Sequence, residues 1–200
     1  MIDTVIFDVG RVLVDWDPRL LYRQLLPNEA EVERFLTEIC PPEWNLAQDL
    51  GRSWAEGVAI QSAKHPDYAN LIAAWDTRWH ETLPDALWDT VALFEQLEAR
   101  GVPLYGLTNF SREKWPETVA RFSFLARFRD VVVSGEVGMI KPDPRIYTHL
   151  LTRNGLAPSQ CLFIDDSIKN VEGARAVGLV AHHFTGAEGL AAELKARGLL

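Results

Sequence analysis

Short apolar runs that stop on acids, a hydroxyl or a lysine are the feature that most restricts this chain. The first is Thr4-Val5-Ile6-Phe7, which ends at Asp8 and is followed by Val9 and Gly10. A β-rich run that stops at an acid reads as a buried parallel strand delivering a carboxylate to its C-terminal edge. Open α/β sheets bind ligands at that edge. Cys161-Leu162-Phe163-Ile164 repeats the pattern and delivers Asp165 and Asp166, while Leu104-Tyr105-Gly106-Leu107 delivers Thr108 and Asn109. Met139-Ile140-Lys141-Pro142 adds a single lysine. Neighbouring strand ends bearing these groups would make a site for Mg²⁺ and a phosphoryl group.

Five strand-like runs stand out: Thr4–Asp8, Pro103–Leu107, Val131–Ser134, Cys161–Ile164 and Val180–Phe184. Helical patterns separate or follow them, at Trp88–Arg100, Asp143–Asn154, Asn170–Val177 and Ala187–Arg197, and each stops at a glycine: Gly101, Gly155, Gly178 and Gly198. A glycine just past the last apolar turn is a helix stop, because it accepts the left-handed conformation there. Alternating β and α with apolar strands predicts a parallel sheet covered on both faces.

Residues 18–83 break the alternation and read as helices only: Arg19–Leu26, Glu29–Ile39, Glu43–Leu50 with a continuation past Ser53, and Tyr68–Thr82. Trp44, Trp54, Trp75, Trp79 and Trp88 lie in or beside this block. A helical insertion directly after the first strand predicts a lid over the strand ends. The expected division is a core of residues 1–17 and 84–200 with a cap of 18–83.

A net charge of -8 argues against nucleic-acid binding, which needs a basic face. No apolar stretch is long enough for a membrane span. The N-terminal run is broken by Asp8 and Arg11 and has no basic flank ahead of it, so no signal peptide is expected there. Cys40 and Cys161 fit neither a disulfide framework nor a metal spacing. The expected setting is cytoplasmic.

The residue types favour one chemistry. A carboxylate is ionised at neutral pH and attacks phosphorus without a base, which suits Asp8. The adjacent Asp165 and Asp166 repel each other unless a cation is near, and oxygen-only ligands with no histidine close in sequence suit Mg²⁺ rather than Zn²⁺. Thr108 and Asn109 end a strand where a hydroxyl and backbone N–H groups can hold phosphate oxygens. Pro142 and Pro144 stiffen the chain around Lys141 and fix where its side chain points. The histidines carry no metal spacing; in His182-His183 one ring is expected to face inward and be hydrogen-bonded.

The order Asp8, Thr108, Lys141, Asp165-Asp166, each after a strand, resembles the haloacid dehalogenase-like (HAD) hydrolase superfamily. Phe7-Asp8-Val9-Gly10, Leu107-Thr108-Asn109, Ile140-Lys141-Pro142-Asp143-Pro144 and Phe163-Ile164-Asp165-Asp166-Ser167 carry the likeness. In detail the chain is similar to the C1-capped bacterial phosphatase branch related to α-D-glucose-1-phosphate phosphatase. The resemblance implies a Rossmann-like sheet of order 5-4-1-2-3 with a helical C1 cap after the first strand. It also implies an aspartyl-phosphate on Asp8. Mg²⁺ would be held by Asp8, Asp165, Asp166 and the Gly10 carbonyl, with Thr108, Asn109 and Lys141 on the phosphate. The expected activity is a Mg²⁺-dependent phosphatase of a small phosphorylated metabolite, a sugar phosphate first.

One position departs from the family. Most HAD phosphatases have a second aspartate two residues after the nucleophile, as general acid/base; here Gly10 stands there. Such help is typically worth about 10²–10⁴-fold in rate. Asp15 and Asp17 are the nearby candidates to replace it, against a reading of Asp17-Pro18 as a turn or cap. The departure keeps two other functions open: a 2-haloacid dehalogenase, and a phosphate-ligand-binding protein that has lost turnover. A response-regulator receiver is rejected, because its acid pair lies on the first strand. For the lid, the polar helical stripe of Asn45, Gln48, Asp49 and Arg52 beside Trp44 supplies the expected specificity contacts, against a reading as a solvated helix face.

Overall fold

The computed structural model describes all residues from Met1 to Leu200. Five strands form one parallel sheet: β1 (Thr4–Phe7), β2 (Leu104–Thr108), β3 (Asp130–Val133), β4 (Cys161–Asp165) and β5 (Val180–His183), in the order β3-β2-β1-β4-β5. This is the expected order, read from the other edge. β1 is central, with Phe7 facing Gly106 on one side and Ile164 on the other.

Burial on both faces explains why the strands read as continuous apolar runs. Side chains alternate across β1 and β4, so Val5, Phe7, Leu162 and Ile164 enter one core cluster, and Ile6 and Phe163 enter the other. The first face is covered by α6 (Trp88–Ala99), through Phe94 and Leu97, and by α11 (Ala187–Ala196), through Leu190 and Leu194. The second is covered by α9 (Pro144–Asn154), through Ile146 and Leu150, and by α10 (Ile168–Ala176), through Val171 and Ala174. Each of the buried Val, Leu, Ile and Phe side chains among these stabilises the fold by about 1.5–3 kcal/mol. Asp143 caps α9 by accepting the Arg145 N–H at 2.9 Å, and Gly155 ends it at φ 64°, where a side chain would be strained.

Between β1 and α6 the regular elements are all helices: α1 (Arg19–Leu25), α2 (Glu29–Arg34), α3 (Pro42–Asp49), α4 (Trp54–Lys64) and α5 (Ala69–Thr77). Three details differ from the periodicity. The last turn of the expected Glu29–Ile39 helix widens into a π-turn at Phe35–Ile39. The expected run through Ser53 breaks, because Gly51 takes φ 107° and Ser53 starts a new helix by accepting the Glu56 N–H at 3.2 Å. The expected Tyr68–Thr82 helix ends at Thr77 and continues as a 3₁₀ turn over Trp79–Thr82. Two short helices carry no sequence signal that we read: α7 (Trp115–Arg121) and α8 (Ser134–Val137), the second taking Ser134 from the expected third strand. No helix is long and apolar enough to cross a membrane.

Side chains from the helical insertion share one core cluster with the sheet. Trp44, Trp54, Trp75 and Trp79 form a contiguous aromatic group, with ring centroids 5.3–6.5 Å apart. Trp88 does not join it; it sits on α6 and is 59% exposed.

Candidate active site

Asp8 leaves the end of β1, and its backbone N–H donates to the Ile164 carbonyl at 2.8 Å. That bond sets Asp8 beside the two acids at the end of β4. One carboxylate oxygen from each of Asp8, Asp165 and Asp166 lies within 4.8 Å of the others. The sheet therefore converges residues more than 150 positions apart in sequence.

Lys141 ties this cluster together. Its ammonium lies 2.9 Å from Asp8 Oδ1 and 2.7 Å from Asp165 Oδ2, and it donates to the Leu107 carbonyl at 2.9 Å. The side chain is essentially inaccessible. Burial alone would depress the lysine's pKa, but Asp165 and Asp8 outweigh it and hold the pKa above its ordinary value. Lys141 is a fixed cation here.

Asn109 is a positioning group for that lysine. Its side chain accepts the Lys141 N–H at 2.8 Å and donates to the Lys141 carbonyl at 3.1 Å. The amide is thus committed to the lysine backbone. Thr108 is buried at the end of β2, and both residues line the cavity above Asp8.

The three acids are not equivalent. Asp165 is fully buried and already satisfied: Lys141, the Ser167 N–H (2.8 Å) and the Asn170 amide (3.0 Å) all donate to it. Asp8 accepts the Val9 N–H at 2.7 Å on the oxygen that also faces Lys141. Burial raises its pKa well above the usual carboxylate range; Lys141 opposes this and Asp165 adds to it. Asp166 is half-buried, and its pKa is raised by burial and then by Asp165. With all three acids ionised, three negative charges against one ammonium leave two uncompensated, which is the charge of one divalent cation. The donor set is oxygen-only, as Mg²⁺ prefers. Asp8 and Asp166 retain free oxygens toward the cavity, and Gly10 lines the same wall. The residues fit a Mg²⁺ ion.

A cavity of about 390 Å³ rises from this floor into the helical insertion. Asn45 and Asp49 line it; Gln48 and Arg52 do not. The Arg52 guanidinium turns into the insertion instead, bonding Gln48 Oε1 at 2.6 Å and the Trp44 carbonyl at 2.9 Å. The Asn45 amide donates to Asp49 Oδ2 at 3.0 Å, and burial pushes the Asp49 carboxyl up to about 7. Neither Asp15 nor Asp17 reaches the cavity. Asp15 is exposed, and Asp17 accepts the Arg19 N–H at 3.0 Å at the start of α1, the turn role weighed above. Of the paired histidines, exposed His183 makes the hydrogen bond, at 2.9 Å from the Asp166 carbonyl oxygen, while His182 Nε2 is buried without a partner. The inward ring is therefore not the bonded one.

Several residues that shape the site were not anticipated. Asn170 orients Asp165, and its place one turn into the helix after the acid pair was a usable signal. Trp16 and Phe110 line the cavity. Arg11 lines it at φ 60°, a left-handed conformation that is strained for a non-glycine residue. The insertion is also latched to the loop after β2: Trp54 Nε1 donates to Ser111 Oγ at 3.0 Å, and the Trp54 N–H donates to Glu113 at 3.1 Å. Asp76 pairs with Lys114 at 2.6 Å. Ser134 Oγ donates to the Asp49 carbonyl at 2.5 Å and accepts the Phe110 N–H at 2.8 Å. A side chain at Gly135 would lie 2.8 Å from the Phe110 carbonyl, so glycine permits this close approach.

A parallel sheet with a lysine-bridged acidic cluster at its C-terminal edge, under a helical insertion, defines an α/β protein whose cavity floor has the donors of a divalent-cation site. The family model for haloacid dehalogenase-like hydrolases matches residues 2–178, and the chain belongs to that family. A sesquiterpene phosphatase of Aspergillus oryzae is 30% identical over 197 residues, spanning 95% of this chain and 93% of the relative. A glyceraldehyde 3-phosphate phosphatase of Methanopyrus kandleri is 27% identical over 203 residues, spanning 90% and 82%. Among solved structures, a HAD family enzyme from Bacteroides thetaiotaomicron, in complex with magnesium and inorganic phosphate, superposes with a TM-score of 0.70 at 24% identity, over 93% of this chain and 96% of that one. The L-2-haloacid dehalogenase of Xanthobacter autotrophicus gives 0.66 at 18% identity, over 100% and 85%. These last two likenesses establish the shared fold.

Proposed function

We propose that this hydrolase is a Mg²⁺-dependent phosphatase of a small phosphate monoester, acting through an aspartyl-phosphate on Asp8. The observation that carries the reading is the Lys141 ammonium held between Asp8 and Asp165 on the floor of the cavity. Asp8, Asp166 and the Gly10 carbonyl would hold Mg²⁺, with Asp165 fixing Lys141 beside them. The ion would supply positive charge to the phosphoryl oxygens. In the first step an Asp8 oxygen bonds to phosphorus while the ester P–O bond breaks and the alcohol leaves with a proton. In the second, water displaces phosphate from Asp8. Thr108 and the Asn109 backbone N–H receive the phosphoryl oxygens, and the Asn109 side chain keeps Lys141 in place.

The helices of residues 18–83 act as the cap of this reading. They supply Asp49, a cavity carboxyl that burial keeps protonated up to about pH 7. Asp49 is our candidate for the proton donor that Gly10 cannot be. The relatives carry names for very different phosphorylated bodies, a sesquiterpene and glyceraldehyde 3-phosphate, and do not single out a sugar. A dehalogenase needs no metal, and it would leave the Asp166 carboxyl, raised by burial and by Asp165, with no ion to hold. Phosphate release from p-nitrophenyl phosphate, with Mg²⁺ and with EDTA, tests the reading. Turnover should need Mg²⁺ and should fall at least about 10³-fold in Asp8→Asn, because an amide cannot form the acyl-phosphate. Full activity in EDTA, or in Asp8→Asn, would remove the mechanism.

A further inference from the structure

We propose that the cavity selects phosphate monoesters whose alcohol part is a hydrocarbon body, aryl-alkyl or branched alkyl, over sugar phosphates. This rests on the phosphatase reading and names the substrate class of the same site. The cavity is two-ended. Its floor carries the acids, Lys141, Thr108 and Asn109; its upper walls are Trp16, Leu36, Leu46, Trp75, Trp79 and Phe110. A sugar needs several free donors and acceptors on those walls, because each hydroxyl buried without a partner costs about 1–3 kcal/mol.

Most polar groups there are engaged or covered. Arg19 is held by Glu33 at 2.5 and 2.9 Å, and Thr37 donates to the Glu33 carbonyl at 2.7 Å. The Asn45 amide is taken by Asp49 at 3.0 Å. The indole nitrogens of Trp16, Trp75 and Trp79, and the Asn45 carbonyl oxygen, have no accessible surface, so these residues do not offer those atoms to a ligand. The Asp49 carboxyl and the exposed Arg11 guanidinium remain, Arg11 bonding only the Trp16 carbonyl through Nε at 3.2 Å, and one carboxyl with one cation does not match a ring of hydroxyls. A hydrocarbon body instead gains about 0.8 kcal/mol for each buried CH₂. At about 390 Å³ the space suits a small-molecule ligand, and a macromolecular body would not fit.

The test compares esters of primary alcohols with similar leaving groups: 2-phenylethyl and 3-methylbutyl phosphates against hexose 6-phosphates and glycerol phosphate. The hydrocarbon esters should have kcat/KM about 30-fold higher or more. Leu46 is 39% exposed, so Leu46→Asn is tolerated by the fold. It should lower the ratio of kcat/KM for phenylethyl phosphate to that for acetyl phosphate about tenfold, since acetyl phosphate is too short to reach the wall. Binding of 2-phenylethyl phosphonate, read by tryptophan fluorescence, should be tighter than that of inorganic phosphate by about tenfold or more, whether or not turnover occurs. Sugar phosphates equal to or better than the hydrocarbon esters would overturn the inference, as would a phosphonate that binds no tighter than phosphate. Loss of the phosphatase reading looks different: no substrate, acetyl phosphate included, is turned over with Mg²⁺ while the phosphonate still binds.

Discussion

At the scale of single residues the site is a charge balance held under cover. Lys141 neutralises part of a buried acidic cluster, and removing one member of a buried pair strands the others. Lys141→Met should therefore destabilise the metal-free protein by about 3–5 kcal/mol at neutral pH. The loss should shrink as pH falls and the carboxyls protonate; urea unfolding in EDTA measures both. Asp49 gives a second residue-level expectation. Its pKa rises from 3.8 to about 7 on folding, and burial is the cause. Below pH 4 both states are protonated and its contribution is fully present. Between pH 4 and 7 the unfolded chain ionises first, so stability is lost as pH rises; above 7 the loss is complete. Asp49→Asn stays neutral and can still accept the Asn45 bond. It should be more stable than the parent at pH 8 by up to about 4 kcal/mol, and the gap should close by pH 4. If Asp49 also gives the proton, the same variant should make turnover depend more steeply on leaving-group pKa. A pH-independent stability difference would mean Asp49 is ionised in the fold.

At the scale of elements, strand ends and one latch decide what the site can reach. The strands were legible because both their faces are buried, which leaves an unbroken apolar run with a polar stop. The helices after the second strand were less so. α8 is four residues long and starts on Ser134, whose hydroxyl is used by backbone from two distant segments. No local pattern encodes such a contact. Ser134→Ala leaves the Phe110 N–H and the Asp49 carbonyl without this partner, at about 1–3 kcal/mol each. We expect about 2–6 kcal/mol lower stability in thermal or urea unfolding. The variant should also lose substrate discrimination, since the latch holds α3 against the loop after β2. Unchanged values of both would mean that the other ties, through Trp54 and Asp76, suffice.

At the scale of the whole molecule, the insertion and the sheet share one apolar cluster, so the roof of the cavity is packed onto its walls. Metal binding should act on the stability of this entire unit. A ligand that binds only the native state at 100 times its Kd stabilises it by about 2.7 kcal/mol. For a chain of this length that raises Tm by roughly 5–10 °C. Mg²⁺ should produce such a rise in wild type and little or none in Asp166→Ala, read by a thermal melt with and without EDTA. A rise of equal size in both would place the ion elsewhere.

Sequence alone determined the α/β class, the five strands, the helical insertion after the first of them, and the acids, hydroxyl and lysine of the floor. These are local signals: an apolar run long enough for one strand, followed by a residue too polar to continue it. The resemblance carried the sheet order. Tertiary structure decided the rest, because it depends on which distant segments touch. It turned Arg52 away from the cavity and Asp49 toward it, and kept Asp15 and Asp17 outside. It gave the Asn109 side chain to the Lys141 backbone. It also set a mostly hydrocarbon wall opposite the charged floor, from residues as far apart in the chain as Trp16 and Phe110. A helical stripe shows which residues share a face, but burial and partner choice are fixed only when that face meets another element.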